Sequence, residues 1–157
     1  MIPTQLQDAL VKELSRLFKD FKLKSPNKNE MVELTILPQD LPIIYKYEDD
    51  EENEPFPYMI VKLDSGNIDD GEAHKVKVLI LIGIFDNNEN KQGYRDVLNI
   101  IDRIYIRFGK DRMLDHQYEV EWPFRWQLYE DDTHPYYFGG IEMSFNIPSV
   151  LREDDLA

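Results

Sequence analysis

Apolar residues recur along this chain with two periods, and the switches between them map its elements. Leu6, Leu10, Leu14, Leu17, Phe18 and Phe21 return every three or four positions, the spacing of one helix face. Thr4 precedes the run and Gln7 follows three positions later. That is a capping-box pattern, in which hydroxyl and amide each satisfy a free backbone donor. The spacing predicts a helix from Thr4 to Lys22, ended by Ser25-Pro26-Asn27. Val32, Leu34 and Ile36 then alternate with Glu33 and Thr35, the signature of a strand with one buried face. Pro38 stops it. Short strands are expected from Ile43 to Tyr47 and from Tyr58 to Leu63. Ser65-Gly66-Asn67 and Asp69-Asp70-Gly71 read as turns.

The strongest strand signal runs from Lys75 to Phe85. Val76, Val78, Ile80, Ile82 and Ile84 share one face; Leu79, Leu81 and Phe85 share the other. Lys75 and Lys77 are its only charges and sit at its start, so the strand is expected centrally in a sheet and covered on both sides, at least along its second half. Asp86 to Asn90 is polar turn chemistry. Tyr94, Val97, Leu98, Ile101, Ile104, Tyr105 and Phe108 then return to helical spacing. This predicts a second helix from about Lys91 to Phe108, with Gly109 as its stop. Tyr118, Val120 and Trp122 alternate with acids, and Phe124, Trp126 and Leu128 continue beyond Pro123. Ile141, Met143, Phe145 and Ile147 form the last strand, ended by Pro148. Gly139-Gly140 within that pattern signals a bulge or a close backbone approach. Strand runs interrupted by two helices predict an α+β fold, with two main helices on a mixed, largely antiparallel sheet of about five to six strands.

With 157 residues the chain fits a single domain, since one domain takes roughly 100–200 residues. Arg152 to Ala157 reads as a short acidic tail that frays. Met1 to Leu23 lacks a charged start followed by an apolar run, so it reads as part of the fold rather than a signal peptide. The longest apolar run, Val78 to Phe85, falls far short of the ~20 residues that span a bilayer.

The net charge of −13 repels phosphate backbones and anionic membranes alike. The absence of cysteine excludes thiolate catalysis and every cysteine-based metal site. His74, His116 and His134 share no metal-ligand spacing. Asp131, Asp132 and His134 could form an acid–base group, yet their place beside Pro135 between two strands favours a turn. Asp69-Asp70-Gly71-Glu72 lacks the spaced ligands of a calcium loop. No phosphate loop or nucleophile elbow occurs. The residues therefore name no catalytic group, no metal and no cofactor.

Two charged features point to assembly instead. Glu48, Asp49, Asp50, Glu51, Glu52 and Glu54 put six acids in seven residues, a run that repels itself and reads as a solvated loop. Arg103 and Arg107, with Lys110 and Arg112 just beyond, form a basic cluster in an acidic chain. Cations at a helix C-terminus gain about 0.3–1 kcal/mol from the dipole. Like charges at i, i+4 lose a few tenths of a kcal/mol, so local helix stability alone does not account for the pair. Surfaces of opposite sign suit a head-to-tail contact between copies, with Arg103 and Arg107 facing acids of a neighbour. Tyr136, Tyr137 and Phe138 are the aromatics expected at such an interface.

From Pro55 to Pro148 the chain resembles the tail terminator, or tail completion, proteins of long-tailed bacteriophages and prophages. The likeness is carried by Pro57-Tyr58-Met59-Ile60-Val61, by Gly83-Ile84-Phe85-Asp86 and by Trp122-Pro123. It continues in Gly93-Tyr94-Arg95-Asp96-Val97-Leu98-Asn99-Ile100-Ile101-Asp102-Arg103-Ile104 and in His134-Pro135-Tyr136-Tyr137-Phe138-Gly139-Gly140-Ile141-Glu142-Met143-Ser144-Phe145. These are patterns of fold rather than chemistry. The resemblance implies an α+β subunit of a ring, usually of six copies, in the virion tail and assembled in the host cytoplasm. That ring ends tail-tube growth and offers a surface to the head-side connector or stopper protein. DNA passes through its lumen without specific binding; acids lining the lumen would let it slide, and the Glu48 to Glu54 run is the candidate lining, with a solvated outer loop as the alternative. No catalytic residue is carried over. Rival readings are another head–tail joining or minor tail protein, an acidic adaptor or inhibitor that binds one basic partner, and an enzyme with a dispersed site.

Overall fold

The computed structural model describes residues 2–26, 30–41, 54–70 and 73–148. The expected strand Ile43 to Tyr47, the acidic run apart from Glu54, and the C-terminal tail lie outside the described residues. The elements in chain order are α1 (Pro3–Leu17), β1 (Lys22–Lys24), β2 (Met31–Glu33), β3 (Thr35–Pro38), β4 (Tyr58–Asn67) and β5 (His74–Phe85). Then come α2 (Tyr94–Lys110), β6 (Met113–Leu114), β7 (Tyr118–Leu128) and β8 (Tyr136–Ile147). The fold is α+β, two helices on a curled six-stranded mixed sheet with a small two-stranded sheet beside it. Among the described residues, no helix is long and apolar enough to cross a membrane.

The sheet order is β3-β4-β5-β8-β7-β6. Among the described strands of this sheet only β3 and β4 run parallel; the other neighbouring pairs are antiparallel. β5 lies in the interior, as its apolar run predicts. Its inner residues Val76, Val78, Ile80, Ile82 and Ile84 are buried and meet Met59 and Val61 of β4 and Ile141, Met143 and Phe145 of β8. Leu6, Leu10 and Leu14 of α1 and Val97, Ile101, Ile104 and Phe108 of α2 close the same core. The other face of β5 differs from expectation. Leu81 is 38 % exposed, because both helices pack on the inner face.

The helix ends follow tertiary demands. Pro3 occupies the first turn of α1, where its missing N–H costs nothing. Ile2 donates its backbone N–H to Gln5 Oε1 at 3.2 Å. The expected Thr4–Gln7 box does not form. Gln7 is buried instead and donates to Val61 O at 2.8 Å and to Gln39 Oε1 at 3.0 Å. α1 stops at Leu17, and Lys22 already belongs to β1. α2 continues through Gly109, around which space is open. The expected strand from Val32 to Ile36 is divided at Leu34: β2 pairs with β1, and β3 pairs with β4. Ser65-Gly66-Asn67 closes β4 as strand beyond a register shift, where a turn was expected.

Gly139 lies in β8, opposite Ile82, with no register shift between β5 and β8. The close approach suggested by Gly139-Gly140 comes from α2. A β-carbon on Gly139 would sit 2.5 Å from Val97 Cγ1. Gly139→Ala is therefore expected to destabilise the fold by about 1–3 kcal/mol through overpacking. Adding Val97→Ala should recover part of that loss in a double-mutant cycle. Urea denaturation of the four proteins checks this; strictly additive losses would place the strain elsewhere.

Candidate assembly surfaces

Arg103 and Arg107 stand one turn apart on α2, which brings both toward α1. The Arg103 guanidinium lies 4.7 Å from the Phe21 ring centroid and 5.7 Å from that of Phe18. Cation–π contacts at exposed sites are worth about 0.5–1 kcal/mol. Arg107 is more deeply engaged. Its Nε donates to Glu13 Oε1 at 2.9 Å, and its two terminal nitrogens donate to Asp111 O at 2.7 Å and Met113 O at 3.0 Å. One guanidinium thus ties α1, the end of α2 and β6 together. Glu13 also pairs with Arg16. The fold therefore supplies Arg107 with an acid from its own chain, 94 residues away.

Arg103, Arg107 and Lys110 line one shallow groove of about 570 Å³ with Leu17, Phe21 and Ile106. Arg112 lies elsewhere, with its guanidinium 5.6 Å from the Trp122 ring centroid. The basic cluster is thus two separate sites.

Tyr136, Tyr137 and Phe138 alternate across β8. Tyr136 and Phe138 sit opposite Phe85 and Gly83 on the outer face, and Tyr137 sits opposite Ile84 on the inner one. Tyr136 donates its hydroxyl to Glu54 at 2.7 Å, and its ring packs 4.6 Å from that of Phe56. The Tyr137 hydroxyl lies 2.9 Å from His134 Nδ1. All three residues are half-buried. Of the six acids in the run, Glu54 alone is described.

Among the described residues, the most exposed large aromatics are others: Tyr129 at 56 %, Trp126 at 55 % and Tyr105 at 49 %. Trp126 lies beyond the register shift between Glu121 and Arg125 and sits opposite Ile141, on the face that carries the helices. Trp126, Tyr105, Phe124 and Leu98 flank a groove of about 350 Å³ between α2 and β7. On the outer face, Tyr58, Leu81, Tyr129 and Phe138 line another groove, of about 600 Å³. The rest of that face is a cross-strand charge lattice. Lys75 pairs with Glu121 at 3.4 Å and Lys77 with Glu142 at 3.0 Å. The outer face therefore has an apolar end and an ionic end.

The residues considered for chemistry stay apart. His74 lies beside Gly66, His116 occupies a left-handed turn position with φ 55°, and His134 meets Tyr137. Asp132 accepts the His134 backbone N–H and pairs with Lys91 at 2.8 Å, which is turn geometry. Among the described residues, no group of three or more His, Cys, Asp or Glu is placed to hold a metal ion.

The Arg16 hydrogen bond, opposed by desolvation and helped by Arg107, holds the Glu13 carboxyl below its ordinary range. A depressed folded pKa contributes stability that is present above the unfolded value of about 4.3. That stability is lost as pH falls through the folded value. Glu13→Gln should therefore flatten the acid limb of the stability–pH curve below about pH 4.3. It should also lower stability at pH 7, by about 1–2 kcal/mol for a charge-assisted pair with a partner left unmatched. Thermal unfolding across pH checks both; an unchanged acid limb would place the titrating group elsewhere.

No model of a known protein family matches this chain, and the search of curated proteins returns no match.

Proposed function

We propose that this chain is a structural subunit of a long-tailed bacteriophage or prophage, of the tail terminator type. Copies assemble into a ring on the last ring of tail-tube protein, end its growth and present a surface to the head-side connector. The protein acts through surfaces and carries out no reaction. Support comes from the residues of the resemblance over Pro55 to Pro148 and from the α+β arrangement that the resemblance implies.

The observation that carries the reading is the one-sided sheet. Both helices pack on one face, and the other displays an apolar groove ending in exposed Leu81 and Tyr129. Contiguous exposed apolar surface beside charged surface marks interaction sites. The acid-rich composition suits a ring through which DNA slides, since like charge prevents sticking.

The test is to add the purified chain to polymerising tail tubes and measure tube lengths by electron microscopy. Growth is expected to stop, with ring density at one tube end. Tubes that elongate as they do without the protein would overturn the terminator role. One-to-one binding of a basic partner by a monomer would favour the acidic adaptor class instead.

A further inference from the structure

The two edges of the six-stranded sheet are both unpaired along part of their length among the described residues. β3 pairs only with β4. β6 covers only the start of β7, at Tyr118 and Glu119, and Val120 donates its N–H to Arg112 O at 2.8 Å. From Phe124 to Leu128 the outer side of β7 has no strand partner among the described residues. Open edges offer rows of backbone donors and acceptors that recruit another strand. Pro123 and the register shift after Glu121 blunt the first part of this edge. The stretch beyond them contains neither device.

Strand sense decides what can occupy it. β3 and β4 run one way, β5 the other, β8 back again, and β7 opposite to β8. β3 and β7 therefore run in opposite directions. A second copy placed beside the first with the same sheet face outward presents its β3 antiparallel to β7. That is a regular ladder, and it leaves a free β7 at one end and a free β3 at the other. Charges agree with this placement. Two exposed acids flank β3, Glu33, which accepts the Asp20 backbone N–H at 3.1 Å, and Asp40, 4.0 Å from Lys62, and exposed Arg125 sits on the open stretch of β7. β3 has only four residues and ends in Pro38, so its hydrogen bonds are few. The exposed shelf of Trp126 and Tyr105 beside β7 supplies the apolar part of the contact.

We infer that the open stretch of β7, Phe124 to Leu128, receives β3 of a second copy in antiparallel pairing, so that the sheet runs from one subunit into the next. The inference rests on the ring reading and specifies how its subunits join. A head-to-tail contact of this kind closes into a ring or propagates as a filament.

The chain contains no cysteine, so crosslinking tests the pairing without background. Thr35 shares the outer face with Tyr58, and Arg125 and Gln127 share it with Glu142 and Gly140. Thr35→Cys is combined with Arg125→Cys in one variant and with Gln127→Cys in another, which covers two registers. After oxidation, at least one double variant should give a ladder of covalent oligomers on a non-reducing gel. The ladder should collapse to monomer on reduction and be lost in each single variant. Amide exchange at 124–128 in the unmodified protein should slow as concentration rises. If that protein sediments as an oligomer while neither double variant gives a ladder and exchange stays fast, edge pairing is wrong and the ring uses another surface. If it sediments as a monomer alone and with tail tubes, and no ladder forms, the ring reading fails as well.

Discussion

One constraint organises this molecule: a single stripe of β-branched residues must be covered by everything else that is apolar. Val76, Val78, Ile80, Ile82 and Ile84 on β5 are at most 2 % exposed. Burying each such side chain is worth about 1.5–3 kcal/mol, which makes this face the most favourable place for a helix to dock. α1 and α2 both take it. α1 covers the β3–β4 side and α2 the β8–β7 side, and Gly139 lets α2 approach closely. With both helices committed to one face, the other carries no helix among the described residues. The uncovered sheet surface follows directly from how the core is satisfied.

Charge is arranged to suit that division. Lys75, Lys77, Glu121 and Glu142 make the far end of the outer face an ionic lattice that remains comfortable in water. The other end stays apolar around Leu81, Tyr129 and Phe138. Arg107, a candidate for contact with a neighbour, is occupied by Glu13 and two backbone carbonyls of its own chain. Its role in the protomer is to lock helix to helix. Among the described residues, surfaces open to a partner include the outer groove, the Arg103–Lys110 groove, the Trp126–Tyr105 groove and the open stretch of β7.

Elements whose burial is decided locally were legible in the sequence. The β5 run is apolar at almost every position, so its interior place needed no knowledge of partners. The two helices were legible for the same reason. What failed was whatever depends on distant residues. Gln7 reads as a cap until Val61, 54 positions away, takes its amide. Val32 to Ile36 reads as one strand because alternation does not record that its halves pair with different sheets. Tyr136 to Phe138 looked outward by composition, yet Phe56 and Glu54 partly cover Tyr136. The candidate surfaces were thus legible in residue type and much less so in location.

The central claim is that this chain works by associating with copies of itself. Light scattering on the protein alone and with tail tubes tests it most directly. The account predicts a mass of at least two 18.7 kDa protomers in at least one of these conditions. A mass that stays at one protomer in both, at every concentration, would contradict it.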